Sequence, residues 1–521
     1  MFRKSVLEGD RRAKALTLGA MCFALFMAML DNTVVNVALP RIQSSLGSGV
    51  SGLQWIVDAY TLLFASLMLS GGTLGDMYGR KRAFMSGLAV FTLGSLSCGL
   101  APSIQALIVG RGVQGVGAAL LLPGTLSILT NTFPDPEERA QAIGIWAGVS
   151  ALALAAGPVL GGVLVDSLGW QSVFFLNVPV GVVALFVATR FVRESANPEG
   201  RRIDLPGQLL GIAALGSLTY ALIEGNAQGW RSPLIVTLLA VAASCGLTFL
   251  AVERRSSSPM LQLHFFGQRT FSAAISVAYL VSFGMFGIFF FMSLYFQDVK
   301  GYSAVGAGIR FVPQTGAIIV VAPLAGRLAG RIGSRWPMAV GLLMAGSGLL
   351  LLERTTPSTP YSQLWWIFTV MGVGMGLTMT PMTAAVMSSV PAARAGMASA
   401  TTNTSREIGG VFGIALLGAI VTGRLTAVLP ARLAAIGVPV AARARIVAAA
   451  THGAMRSLGS PPGVNPVALR QAVGGAYVTG MHVALVLAGL ALLAGSAVAA
   501  TFVRPAARPT GQPEELAVVA A

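Results

Sequence analysis

Fourteen long apolar runs follow one another along the chain, at 15–38, 52–72, 83–101, 106–129, 140–164, 171–191, 206–224, 234–252, 271–296, 304–328, 337–352, 363–387, 398–423 and 476–503. A helix needs roughly 20 apolar residues to cross a hydrocarbon layer. In that layer a backbone closes its own hydrogen bonds only as a helix or a sealed barrel. These runs are continuous and do not alternate, so they predict helices and exclude barrel strands. The expected fold class is all-α: a polytopic membrane protein with fourteen transmembrane helices. Of the 521 residues only 10% are charged, whereas a soluble fold uses about a quarter to clothe its surface.

The first run follows Arg3, Lys4, Arg11, Arg12 and Lys14 but carries Asp31 and has no clean small-residue cleavage site, unlike a secretory signal. Basic residues set the expected orientation. The N-terminus and the loops with Arg80, Lys81 and Arg82, with Arg193, Arg201 and Arg202, with Arg254 and Arg255, with Arg331 and Arg335, and with Arg394 read as cytoplasmic, as do Arg504 and Arg508. Both termini are then inside, in a cell (inner) membrane. The stretch 424–475 is expected outside although it holds Arg424, Arg432, Arg443, Arg445, Arg456 and Arg470; long loops obey the rule weakly.

The net charge of +16 is spread over many loops facing lipid headgroups, which argues against nucleic acid as a partner. Cys22, Cys98 and Cys245 fall within apolar runs and read as packing residues. His264, His452 and His482 lack metal-ligand spacing. No metal, cofactor or obligate protein partner is expected, and no nucleotide-binding P-loop pattern is present in the sequence.

The chain repeats itself. GTLGDMYGRKR at 72–82 follows the second run, and GRLAGRIGSR at 326–335 follows the tenth. Aligning Gly72 with Gly326 sets Gly79 on Gly333 and Asp76 on Gly330. The expected division is a tail 1–14, a six-helix bundle 15–191, a linker with two inserted helices 192–270, a second six-helix bundle 271–503 with the long external loop, and a tail 504–521. Such repeats place a substrate site between the halves near mid-membrane.

Several motifs together carry a family resemblance: the corner 72–82, LDNTVVNVALP at 30–40, RGVQGVG at 111–117, Gly148 followed by GPVLGG at 157–162, and Trp170 through Asn177, Pro179 and Gly181. In this order the chain resembles the major facilitator superfamily, and within it the fourteen-helix drug:proton antiporters of the EmrB/QacA type. The resemblance spans nearly the whole chain and implies that no enzymatic step is involved.

Asp31 stands about seven residues from the outer end of the first run, roughly 10 Å deep. An ionised carboxylate there costs several kcal/mol unless paired, hydrated or protonated, so it suits exchange of a proton for a cationic substrate. Arg111 lies at similar depth on the fourth run and is placed to pair with it. It keeps its charge, and the resemblance implies a part in proton coupling. Glu407, next to Arg406, is near mid-membrane on the thirteenth run; adjacent residues point about 100° apart and do not satisfy each other. The resemblance implies substrate or proton binding there, with Asn403 one turn before it. Gln114 and Tyr60 are further candidates for the substrate route, as are Gln54, Tyr295 and Gln297, while Asp58 and Glu224 read as interfacial. The plain alternatives are a structural carboxylate at Asp31, a snorkelling Arg111 and, at Glu407, an inter-helix structural ion pair involving Arg406.

Gly72, Asp76, Gly79 and Arg80 are assigned to gating. The resemblance implies a charged latch from Asp76 to the N-terminus of the thirteenth helix, completed by Arg80. Gly157, Pro158, Gly161 and Gly162 have the small-residue spacing that lets another backbone approach, and a helix of the other half is its expected partner. The Met- and Phe-rich run from Phe283 to Phe296 reads as core or lipid-facing before it reads as a substrate wall.

The expected activity is proton-coupled export of hydrophobic or cationic drugs by alternating access, with protons, a small-molecule substrate and the bilayer as partners. Export of an endogenous metabolite, lipid, siderophore or self-made antibiotic stays open. A membrane enzyme is disfavoured because no His, Cys or acidic constellation clusters on facing runs, and a receptor because no sizeable soluble domain is present.

Overall fold

Capping and breaking residues cut the apolar runs into rods. In the computed structural model, Ser103, Asp204, Ser232, Ser303 and Asn465 accept a backbone N–H of the first turn of the helices they open, filling donors that a helix start leaves bare. Gly79 (φ 115°) and Gly333 (φ 83°) end helices in a conformation that side chains resist. The structure describes residues 2–196, 204–256, 259–391, 395–451, 461 and 463–504. Arg201, Arg202, Arg394, His452, Arg456 and Arg508 lie outside the described residues.

The described residues form helices and short helical turns: α1 (Phe2–Leu46), α2 (Val50–Tyr78), α3 (Arg80–Gly99), α4 (Ile104–Thr132), α5 (Pro136–Leu168), α6 (Ser172–Phe175), α7 (Asn177–Phe191), α8 (Leu205–Gln228), α9 (Pro233–Arg255), α10 (Arg269–Leu294), α11 (Ala304–Ile332), α12 (Arg335–Leu351), α13 (Trp365–Ser388), α14 (Ala395–Ala435), α15 (Val440–Thr451) and α16 (Pro466–Phe502). Among the described residues twelve helical spans are long and apolar enough to cross a membrane. The run at 83–101 falls on α3, which does not reach that measure; the run at 140–164 falls on the 33-residue α5, of which Ala156–Leu168 is apolar helix. The chain is a multi-pass membrane protein.

Two ends of the molecule can be told apart by what meets there. The proximal end holds the start of α1, where Lys14 pairs with Glu138 at 2.7 Å, and the corner at Gly79, where the Arg80 N–H donates to Ser195 O at 2.8 Å. The distal end holds the loops after α1, α5 and α8. Two helix ends differ from the sequence reading. α1 continues to Leu46 instead of ending near 38. α14 continues to Ala435 instead of 423 because Leu425, Leu429 and Leu433 extend a buried stripe at helical spacing. Much of 424–475 is therefore helix, including α15.

Helices α1–α7 pack on one another, as do α10–α14 with α16, and α8 lies against α2 and α14. The apolar core shows how the two groups meet. One buried cluster joins distal residues of the first group, such as Leu30, Val34, Leu53 and Val165, to Phe289, Phe296 and Ile414 of the second. The other holds only first-group residues nearer the proximal end, such as Ala24, Phe64, Phe84 and Leu129. The run Phe283–Phe296 is buried throughout and forms much of the shared core.

Polar contacts between the groups follow the same division. Gln54 Nε2 donates to Ile414 O at 2.8 Å, Ser293 Oγ to Asn36 O at 2.8 Å and Gln297 Nε2 to Val37 O at 3.0 Å. Asp166 at the end of α5 accepts the backbone N–H groups of Ala304 (3.3 Å) and Val305 (2.9 Å) at the start of α11. All of these lie in the distal half. Gln54 and Gln297, considered from sequence as route-lining residues, here close the distal seams.

Candidate functional site

The first group of helices wraps a charged pair. Arg111 on α4 donates from Nη1 to Asp31 Oδ2 on α1, and neither residue has more than 2% of its surface exposed. Asp31 Oδ1 accepts from Asn177 Nδ2 on α7 at 2.9 Å and from Gln114 Nε2 at 3.2 Å. Both amides also reach Ser95 Oγ on α3, at 3.3 and 2.6 Å. Gln114 Oε1 accepts from Arg111 Nη1 at 2.8 Å, and Arg111 Nε donates to Ile56 O on α2 at 2.9 Å. The guanidinium lies over the Tyr60 ring, 4.3 Å from its centre. Its Nη2 is buried without a hydrogen-bond partner.

Small residues make this convergence feasible. A β-carbon at Gly115 would sit 2.4 Å from the Tyr60 carbonyl oxygen, and one at Gly117 would sit 2.4 Å from the Phe91 nitrogen. Only glycine lets α4 approach α2 and α3 this closely. With α1 running to Leu46, Asp31 stands fifteen residues from the distal end of its helix, about 22 Å along the axis, against the seven counted to the end of the apolar run.

Gln114, expected on the substrate route, has its amide bonded to Asp31, Ser95 and Arg111 in this conformation. Tyr60 serves as the floor under Arg111, with its hydroxyl buried and unpartnered. Sequence reasoning gave Asn177 only a place in a motif, with no role at the site, and passed over Ser95. Asn177 opens a helix just before Val178 and Pro179, where an asparagine ordinarily reads as a cap, and Ser95 looks like one small residue among several.

Glu407 on α14 is 9% exposed, and its Oε2 has no hydrogen-bond partner, nor has Nε of Arg406. No ion pair joins the two among the described residues. Glu407 belongs to the second group of helices, on α14, which packs against α2, the helix that carries Tyr60. Asn403, one turn proximal, is exposed.

Asp58 changes most. It read as interfacial, yet it is fully buried with both carboxyl oxygens unpartnered. It sits one turn after Gln54, whose side chain reaches α14, and so shares the face of α2 turned toward the second group.

The gating residues divide. Asp76 accepts from Arg80 Nε and Nη2, both at 2.9 Å, along one corner. The backbone of Lys81 donates to Glu194 Oε1 at 3.0 Å, and a β-carbon at Gly79 would strike the same carboxyl at 2.8 Å. Gly72 lies near Pro123 of α4. In the GPVLGG stretch the expected partner is found for two positions. Gly162 abuts Val305, and the Pro158 carbonyl abuts Gly308, both on α11. Gly157 and Gly161 instead face Thr33 and Val34 of α1, within their own group.

A membrane chain with a buried carboxylate–arginine pair in one helical group and a buried acid in the other has the makings of a solute transporter. Residues 21–414 match the Major Facilitator Superfamily, and the chain belongs to that family; it is a transporter of small molecules and not an enzyme. It is 43% identical over 423 residues, 81% of this chain and 78% of the relative, to multidrug resistance protein Stp of Mycobacterium tuberculosis (strain CDC 1551 / Oshkosh). It is 35% identical to the tetracenomycin C resistance and export protein of Streptomyces glaucescens, over 97% of this chain and 94% of that one. Its fold is similar to that of a bacterial homolog of the human lysosomal transporter Spinster, solved in an inward-facing, unoccupied conformation, with a TM-score of 0.65, 19% identity and coverage of 95% and 99%.

Proposed function

We propose that the protein is a proton-coupled exporter of hydrophobic or cationic drugs in the cell (inner) membrane, crossing it fourteen times with both termini in the cytoplasm. In this reading α3 and α5 cross as well, and the units are the bundles 15–191 and 271–503 joined by 192–270. The distal end is then external. Among the described residues the shared core and the hydrogen bonds between the bundles lie at that end, which supports an inward-facing conformation, ready to receive substrate from the cytoplasm or inner leaflet.

The observation that carries the proposal is the buried Asp31–Arg111 pair, together with relatives named for drug resistance and export. Arg111 cannot give up its charge, so Asp31 stays ionised while the pair is intact. Rocking of the bundles that draws Arg111 toward another acceptor leaves Asp31 as the group that takes a proton. Asn177, Gln114 and Ser95 hold Asp31 in place meanwhile. Glu407 faces the same space and, with Asn403, meets cationic substrate; an uncompensated buried acid attracts either a cation or a proton. Asp58 is in none of the ion pairs among the described residues and both its carboxyl oxygens are buried without a hydrogen-bond partner; ionised it would cost several kcal/mol, so it suits a proton station that discharges when the bundles part. Gly72, Asp76, Gly79 and Arg80 form a proximal corner that moves as a unit. Gly157 and Gly161 fix α5 to α1, while Pro158 and Gly162 form the seam with α11.

A second reading is export of one self-made compound. The Streptomyces relative named for tetracenomycin C resistance and export matches this chain nearly end to end and favours it. An efflux panel in an expressing strain separates the two: resistance to several unrelated drugs supports the first reading, and export of a single compound class supports the second. No export under an imposed pH gradient contradicts both.

A further inference from the structure

The two inserted helices meet at a feature that the transport reading does not use. Asp204 ends the connector from the first bundle and caps α8, its Oδ1 accepting the Gly207 N–H at 2.9 Å. Glu253 lies in the last turn of α9, and its Oε2 accepts the Leu261 N–H at 3.0 Å, from the connector into the second bundle. The pair therefore sits where both connectors converge, at the proximal end. Each carboxyl has one oxygen tied to backbone. The other two, Asp204 Oδ2 and Glu253 Oε1, are buried without a hydrogen-bond partner, in residues only 7% and 3% exposed. They converge beside one glycine: a β-carbon built on Gly207 would lie 3.0 Å from the first and 2.9 Å from the second.

No described cation relieves them. Arg254 and Arg255, on the same turn of α9, are exposed, and none of the five ion pairs among the described residues includes Asp204 or Glu253. From α2 the groups facing the first turns of α8 are the Ser66 carbonyl and the Ser70 hydroxyl, both bonded to Gln208. The hydrogen bond from α8 to α14 is at the other end, Asn226 to Ala419. The two distances at Gly207 put the oxygens at most about 6 Å apart, and two buried carboxylates that near repel each other when both are ionised. No group of three potential ligands for Mg²⁺ or Ca²⁺ occurs among the described residues; what the site offers is two free carboxyl oxygens. They are enough for a proton.

We propose that Asp204 and Glu253 form a proton-binding site, one proton held between Asp204 Oδ2 and Glu253 Oε1, tying together the two connectors between the bundles. The proton comes from water at the proximal end and leaves the pair with a single negative charge. Its loss sets two charges against each other and loosens the joint, so stability conferred by the bound proton is present at low pH and lost as pH rises through the titration of the pair.

The test is pH-difference infrared spectroscopy of the full-length protein in liposomes, together with thermal unfolding across pH. The wild type should show a protonated-carboxyl band that survives in Asp31→Asn but vanishes in both Glu253→Gln and Asp204→Asn. Its melting temperature should fall with rising pH, and that fall should be lost in Glu253→Gln, whose amide replaces the shared proton as donor. A band unchanged in both pair variants would overturn the proposal. So would stabilisation of the wild type by Na⁺, K⁺, Mg²⁺ or Ca²⁺ at fixed pH that both variants lose, which would mark a metal site. Neither readout uses a transport substrate, so the result stands apart from the export reading.

Discussion

Replacing Asp166 by alanine should open the distal end. Its carboxylate accepts two backbone N–H groups at the start of α11, at 3.3 and 2.9 Å, and the 29-residue helix behind them directs its positive end at the charge. A hydrogen bond to a charged group contributes about 1.5–3 kcal/mol. The longer bond and the partial exposure of Asp166, 23% of its side chain, hold the sum near 2 kcal/mol. That energy exists only while α5 and α11 touch, so its loss shifts the ratio of distal-open to distal-closed molecules by about thirtyfold. Spin labels at the exposed Leu168 and Ile309 report the separation of the two helices by pulsed dipolar spectroscopy in liposomes. The substrate-free variant should gain a longer-distance population over the wild type, with Asp166→Asn between them. An unchanged distribution in Asp166→Ala would refute the latch.

Further outcomes follow from the same geometry. Gly308→Ala puts a β-carbon 2.1 Å from the Pro158 carbonyl oxygen; this overpacking, about 1–3 kcal/mol, should favour the same longer-distance population, and a wild-type distribution would contradict it. Glu407→Gln should impair efflux of cationic substrates at least tenfold more than that of neutral ones, measured in one panel; equal loss would remove Glu407 from cation recognition. Asp58→Asn, which removes an acid without deleting any hydrogen bond among the described residues, should leave expression and melting temperature near wild type while flattening the pH dependence of export, and an unaltered pH profile would exclude it from the proton path.

Much of this arrangement was legible in the sequence because charge inside an apolar run is rare and costly. Asp31, Arg111 and Glu407 stood out on that ground, and the glycines of RGVQGVG stood out by spacing. Helix ends were less legible. Arg41, Gln43, Ser44 and Ser45 lower the hydropathy after residue 40, yet α1 continues through them to Leu46, so Asp31 stands farther from its helix end than counting suggested. Asp58 misled for a related reason: closeness to a run's end was read as closeness to water, but the second bundle covers it. Asn177 and Ser95 carry no charge and left no hydropathic signal. Their role appears only once α3 and α7 are brought against α1. The fates of Gln54 and Gln297 depend on conformation, since both bond across seams that join here only at the distal end.

Proton coupling through the buried pair is the central claim, and substrate-triggered proton movement in liposomes tests it most directly. With purified protein and a pH-sensitive dye, adding an exported substrate should drive proton flux in the wild type. Asp31→Asn, inserted and folded normally, should bind substrate yet move no protons in response. Substrate-driven proton flux at the wild-type rate in Asp31→Asn would contradict the account.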